Sequence, residues 1–117
     1  MDLKEVMEQT SFVMVGDTLN EAKFACKIKH AMLEHGYRVQ SVGAELPSIN
    51  DVEGEIDIID LCIRSDRGLK LMQECTKPYK GVVIQPGAES EELIAWLQER
   101  KIPYIESCLL VGLRQYK

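Results

Sequence analysis

The residues able to do chemistry in this 117-residue chain are few and scattered. The four cysteines, Cys26, Cys62, Cys75 and Cys108, stand far apart with no Cys-x-x-Cys among them. That spacing lacks the usual zinc and redox signatures, and the apolar neighbours of each thiol read as packed, reduced side chains. The two histidines, His30 and His35, fall on one predicted helix without the partners a zinc site needs, so no metal site is expected. His35, just before Gly36, suits a helix C-terminus better than the role of a base. Asp57 and Asp60 are three apart in an extended segment and so point to opposite faces, which rules out a shared proton. No nucleophile has a recognisable base, and no catalytic residue is assigned.

What remains is binding chemistry carried by the backbone. Ser11–Gly16 is an apolar run ending in glycine, and a helical pattern follows over residues 17–35. A strand that stops at glycine and turns into a helix offers unpaired N–H groups to an anion, which points to a phosphate-bearing ligand at Gly16, Asp17 and Thr18. Dinucleotide fingerprints carry three glycines where this chain has one, so a purely structural turn at Gly16 stays open on these residues alone. Lys23, near the helix start, could reach a phosphate, whereas Lys27 with His30 and Glu34 reads as a solvated face. Arg64 follows the third strand; its plain alternative is a surface pair with Asp66 or Asp60, which contributes little. Glu45 reads as a solvated loop acid. Glu89, Glu91 and Glu92 surround Ser90 and offset the dipole of their own helix, leaving the first long helix as the better anion site.

These residues need elements to position them. The length suits one domain, residues 1–117, with a core that requires neither disulfide nor metal. Hydrophobic residues at 45% and charged residues at 28% place the chain in the globular class. Lys plus Arg is 14 against 19 for Asp plus Glu, and the net charge of −5 argues against nucleic-acid partners while leaving room for one anionic ligand in a local pocket. No apolar run reaches membrane-spanning length, and residues 1–10 are too acidic and polar for a signal peptide, so a cytoplasmic location without membrane contact is expected.

Along the chain, residues 3–8 read as a short helix and 13–15 as the centre of the first strand. Thr18 with Glu21 forms a capping box, with Asn20 a competing cap, and Phe24, Ala25, Ile28 and Met32 make the apolar stripe of the helix that Gly36 ends. Strands are expected at 37–42, 56–63, 81–84 and 102–105, the third having the near-continuous apolar content of a central parallel strand. Helices start at Ser65 or Asp66 and at Ser90. Pro103 marks the last strand as an edge, and residues 108–111 are apolar enough to dock on the body.

Strands alternating with helices give an α/β, three-layer Rossmann-like fold with a five-stranded parallel sheet. The expected order is 3-2-1-4-5, with the switch point between the first and fourth strands. Gly16 and its neighbours then face Gln85, Pro86 and Gly87 across one crevice, and Gly43 and Arg64 extend its rim.

Several segments, in order and spacing, resemble the small single-domain CoA-binding proteins over about residues 11–111. Val13-Met14-Val15-Gly16 resembles their opening strand and glycine, and the residues from Leu33 to Val39 resemble their helix-to-strand corner. Pro47-Ser48-Ile49-Asn50-Asp51-Val52 followed by Ile56-Asp57-Ile58-Ile59-Asp60-Leu61 resembles two further family blocks. Gln85-Pro86-Gly87 resembles the end of the fourth strand, and Cys108 falls where the family carries a cysteine. The resemblance implies binding of coenzyme A or an acyl-CoA. The phosphate site would be Gly16, Asp17, Thr18 and the helix start, with Arg64 matching a family arginine and Gln85 to Gly87 lining the opposite wall. The chain has Gly16-Asp17-Thr18 where the family often has Gly-Ala-Ser, and a short loop at residues 43–46. Two alternatives stay open: a protein that binds NAD or another nucleotide and acts as an enzyme or redox sensor through Cys108, and a degenerate scaffold acting through protein partners. A homodimer through an exposed apolar face is an open assembly.

Overall fold

The computed structural model describes residues 1–117 as a five-stranded, wholly parallel sheet with helices on both faces. The strands are β1 (Ser11–Gly16), β2 (Arg38–Gly43), β3 (Ile58–Cys62), β4 (Gly81–Ile84) and β5 (Tyr104–Glu106); the helices are α1 (Leu3–Met7), α2 (Phe24–Glu34), α3 (Ser65–Glu74), α4 (Glu91–Glu99) and α5 (Leu109–Tyr116). This is the α/β, Rossmann-like class that the alternating pattern predicts.

The order across the sheet is β2-β1-β3-β4-β5. It corrects the expected 3-2-1-4-5: β3 lies between β1 and β4 and not beyond β2, and the switch point falls between β1 and β3. Burial gives the reason. Ile58, Ile59, Asp60 and Leu61 are buried on both faces of the sheet, a place only an interior strand offers. β2, with Arg38 exposed and Val39 and Gln40 half-buried, takes the edge. The crossover from β2 to β3 contains only a 3-10 turn, Ile49–Asp51, which packs against α3.

Strand parity sorts the core into two layers. Ile59, Leu61, Val82 and Ile84 face α3 and α4, meeting Met72, Leu93 and Leu97. Phe12, Met14, Ile58 and Val83 face α1, α2 and α5, meeting Met7, Ile28, Met32, Leu109 and Leu113. Gly36 ends α2 with φ +84°, and the Ser90 hydroxyl accepts from the Leu93 N–H at 3.1 Å to cap α4, both as the sequence indicates. β4 spans the expected residues, and the ends of β2, β3 and β5 differ from expectation by one to two residues.

α2 departs further. It begins at Phe24, with Lys23 in the cap position and no side-chain cap. Residues 17–23 form local turns instead: Thr18 N–H donates to the Gly16 carbonyl at 3.1 Å, Ala22 N–H to Asn20 Oδ1 at 3.0 Å, and Lys23 N–H to the Asn20 carbonyl at 3.0 Å. The Asn20 side chain thus closes a turn of its own and displaces the Thr18–Glu21 capping box. Phe24, expected on the buried stripe, stands in the first turn and is 65% exposed, while Ala25, Ile28 and Met32 are buried.

Candidate functional site

The carboxyl ends of three neighbouring strands come level at one place. Gly16 pairs with Gly43 on β2 and with Cys62 on β3. A Cβ on Gly16 would lie 2.5 Å from the Cys62 carbonyl oxygen and 2.9 Å from the Ala25 Cβ, so only glycine lets β1, β3 and the start of α2 meet this closely. Gly43 has φ +116°, which sends the chain sharply away from the sheet into residues 44–46. The result is bare backbone at the topological switch point, where open parallel sheets receive ligands.

Above this floor lies a cleft of about 580 Å³, within the usual range for small-molecule sites. Gly16, Asp17, Lys23, Gly43, Arg64, Gln85, Pro86 and Gly87 all line it. Thr18 does not: it is 4% exposed, and the helix start that would have aimed its hydroxyl at an anion lies farther along the chain. Phe24, Ala25, Ala44, Cys62, Ile63, Arg67 and Ala88 complete the lining. Of these, Arg67 was within reach of the sequence, since it follows Arg64 by one turn on a helix starting at Ser65. Phe24 was hidden by placing the helix start too early.

Charge at the cleft is mixed but mainly positive. Lys23, Arg64 and Arg67 share the lining with Asp17. Arg64 Nη2 is 3.2 Å from Asp66 Oδ2, with side chains 80% and 65% exposed, a loose surface pair that leaves the guanidinium available. The first turn of α2 carries no side-chain cap and no acidic residue, and its residues Phe24 and Ala25, with Lys23 before them, form part of the cleft wall. α4 is the reverse, capped by Ser90 and flanked by Glu91 and Glu92.

Under the floor lies a polar pair that the sequence does not reveal. Asp60, fully buried at the centre of β3, accepts from Gln85 Nε2 at 2.8 and 3.1 Å. Burial, opposed only by this amide, pushes the Asp60 carboxyl up to about 7. Burial, with the nearby Asp60 and Cys108, also pushes the Cys62 thiol up to about 11, so it stays protonated and unreactive at neutral pH. All four cysteines are free thiols.

The loop after β2 is pinned to the body. Lys29 Nζ lies 2.9 Å from Glu45 Oε2, and this lysine, with Ser41 next, holds the Glu45 carboxyl below its ordinary range. The buried hydroxyls of Ser41 and Thr18 lie near that carboxylate without completing a hydrogen bond. Glu45 is therefore an anchor for the loop and not the free solvated acid expected.

The sequence profile described as CoA binding domain matches residues 10–114. No curated protein matches the chain. A conserved hypothetical protein from Pyrococcus furiosus is 25% identical with a TM-score of 0.76, covering 88% of this chain and 98% of its own. A hypothetical protein from Pyrococcus horikoshii is 20% identical with a TM-score of 0.85 over 97% of this chain and 89% of its own. A protein from Thermus thermophilus is 21% identical with a TM-score of 0.80 over 98% of both chains. These solved structures share the fold.

Proposed function

Because the chain belongs to the CoA-binding domain family, we propose that it binds coenzyme A or an acyl-CoA in the cleft at the β1–β3 switch point, as a binding module of the cytoplasm with no reaction of its own. The observation that carries this reading is the convergence of Gly16, Gly43 and the uncapped start of α2 on one cleft with Lys23, Arg64 and Arg67 around it. The diphosphate lies over Gly16, where no side chain stands between ligand and backbone, and the Asp17 carboxylate in the same lining is outnumbered by the three cations. Arg64, Arg67 and Lys23 supply charge from the rim, and Gln85, Pro86 and Gly87 form the opposite wall. Thr18, buried as it is, takes no part.

The cleft lacks a reactive nucleophile: its cysteine, Cys62, has a thiol held protonated by burial. No helix is long and apolar enough to cross a membrane.

Thermal unfolding with CoA, acetyl-CoA, NAD, ATP or no ligand tests the proposal. A ligand bound only by the folded state adds roughly 2.7 kcal/mol at a hundredfold excess over its Kd. The midpoint should rise with CoA species, and the rise should shrink in Arg64→Ala and Arg67→Ala. A rise with NAD or ATP alone would transfer the site to another nucleotide. No rise at millimolar CoA would overturn the proposal and favour a scaffold acting through protein contacts.

A further inference from the structure

One polar side chain of the cleft is held from below by a carboxyl group that the ligand cannot touch. Asp60 is fully buried, with Met14 on β1 and Val83 on β4 as its register partners. Its hydrogen-bond donor is Gln85 Nε2, at 2.8 and 3.1 Å from the two carboxyl oxygens. One amide nitrogen set between both oxygens is the arrangement a carboxylate takes. The Gln85 side-chain oxygen receives no hydrogen bond from the protein and is not among the fully buried unpaired atoms, and Gln85 lines the cleft. That oxygen is thus an acceptor without a protein partner, on a residue of the cleft lining.

We propose that Asp60 is a positioning residue that sets which polar atom Gln85 offers to the ligand, an inference that rests on the CoA reading of the cleft. Ionised, Asp60 holds the amide nitrogen and leaves Gln85 Oε1 free as an acceptor for an amide N–H or a hydroxyl, groups that the pantetheine arm of CoA carries. Protonated, the Asp60 O–H donates to Gln85 Oε1 while the amide N–H still donates to the Asp60 carbonyl. The pair then closes on itself and the cleft loses its acceptor.

The surroundings leave Asp60 free to take either state. The ionisable group beside it is the thiol of Cys62 on the same strand, which in turn has the Cys108 thiol for a neighbour. β1 and β4 present Met14 and Val83, and α2 and α5 pack this layer with apolar residues such as Ala25 and Leu109. No cation and no second carboxylate acts on it, and burial brings its titration to about 7.

The test is calorimetric titration of the full chain with CoA from about pH 5.5 to about pH 8.5, for the natural protein and for Asp60→Asn. The amide in Asp60→Asn closes the same cyclic pair with Gln85 and so imitates the protonated state. The two proteins should bind alike at the acid end, and the natural protein should bind roughly five- to tenfold more tightly at the alkaline end, about the contribution of one hydrogen bond. Taking their ratio removes the titration of CoA's own phosphates. A ratio that stays constant across the range would overturn the proposal.

A second measurement needs no ligand and no variant. In nitrogen-15 NMR spectra of the natural protein, the Gln85 side-chain amide should shift with a midpoint near 7. An amide that does not respond to pH would overturn the coupling. If neither protein binds CoA at any pH while this amide titrates, the CoA reading has failed and the Asp60–Gln85 coupling has not.

Discussion

Asp57 and Asp60 are three residues apart on the same stretch of chain, and the fold treats them in opposite ways. Asp57 lies just before β3, at the amino end of the sheet. Its Oδ2 accepts from the N–H groups of Thr10 at 3.1 Å and Ser11 at 3.0 Å, and Lys80 Nζ lies 3.2 Å from Oδ1. Burial alone would raise its titration, but these donors outweigh burial and lower it. Asp60 has one amide and no cation, and burial wins. Asp57 ties the start of β1 to β3 and is a structural group. Asp60 sits at the other end, under the cleft, where an incompletely satisfied group can respond to a ligand. A carboxylate with full partners holds a fold together; one with a single partner leaves the neighbouring side chain adjustable.

The sharpest way to break this contrast is at Asp57. Asp57→Ala leaves the N–H groups of Thr10 and Ser11 without their acceptor and removes the ion pair with Lys80, whose ammonium keeps solvent and Gln9, and should lower stability by about 3 kcal/mol. Urea denaturation would show the midpoint falling at constant slope, and a loss below about 0.5 kcal/mol would mean that water replaces the carboxylate. Asp57→Asn should recover part of the loss, because the amide oxygen still accepts.

At the cleft end, Gly16→Ala forces β1 away from the Cys62 carbonyl and Ala25. It should cost about 2 kcal/mol by overpacking and also weaken CoA binding, read in the same thermal scans with and without ligand. Unchanged stability would show that the strands can part there without strain.

The pH dependences of the two aspartates carry opposite signs. Asp57, lowered in the fold, contributes stability that is present above its unfolded value near 3.8 and lost as the pH falls below it. Asp60, raised in the fold, binds its proton more tightly when folded. Its contribution is full below 3.8 and is lost as the pH rises to about 7. Stability should therefore decline across that window with a slope of up to roughly 1.4 kcal/mol per pH unit from this group, and Asp60→Asn should flatten it. Denaturation midpoints measured at several pH values in both proteins decide the matter.

The smallest effect on stability belongs to Arg64. Arg64→Ala should change folding by less than about 0.5 kcal/mol, since its pair with Asp66 is exposed. It should weaken CoA binding several-fold, and more strongly at low salt than at high. A salt-independent loss would point to packing in place of charge.

Much of this was readable along the chain because the signals are local. Gly36 at positive φ and the Ser90 cap follow from residue type and position. The start of α2 was misread because two local solutions compete over residues 17–23, and the Asn20 turns win over the Thr18–Glu21 box. The strand order was misread although one clue was present: the continuous apolar run of β3 argued for the sheet centre, while the order 3-2-1-4-5 placed it at an edge. The Asp60–Gln85 pair had no signal at all, since its members are 25 residues apart and meet only where β3 and β4 run in register, Leu61 beside Ile84.

By itself the amino-acid sequence determined the α/β class, the parallel sheet and the glycine on which the cleft is built, because hydrophobic period, caps and turn chemistry act over a few residues; the family followed from the resemblance of ordered segments and the profile match over residues 10–114. Only the tertiary structure decided that β3 adjoins β1, that Thr18 is buried while Phe24 and Arg67 reach the cleft, and that Asp60 lies beneath Gln85. Those outcomes depend on which strand pairs with which and on what is left without water, and beyond the apolar run of β3 and the spacing of Arg64 and Arg67 such long-range choices leave little mark at single positions of the chain.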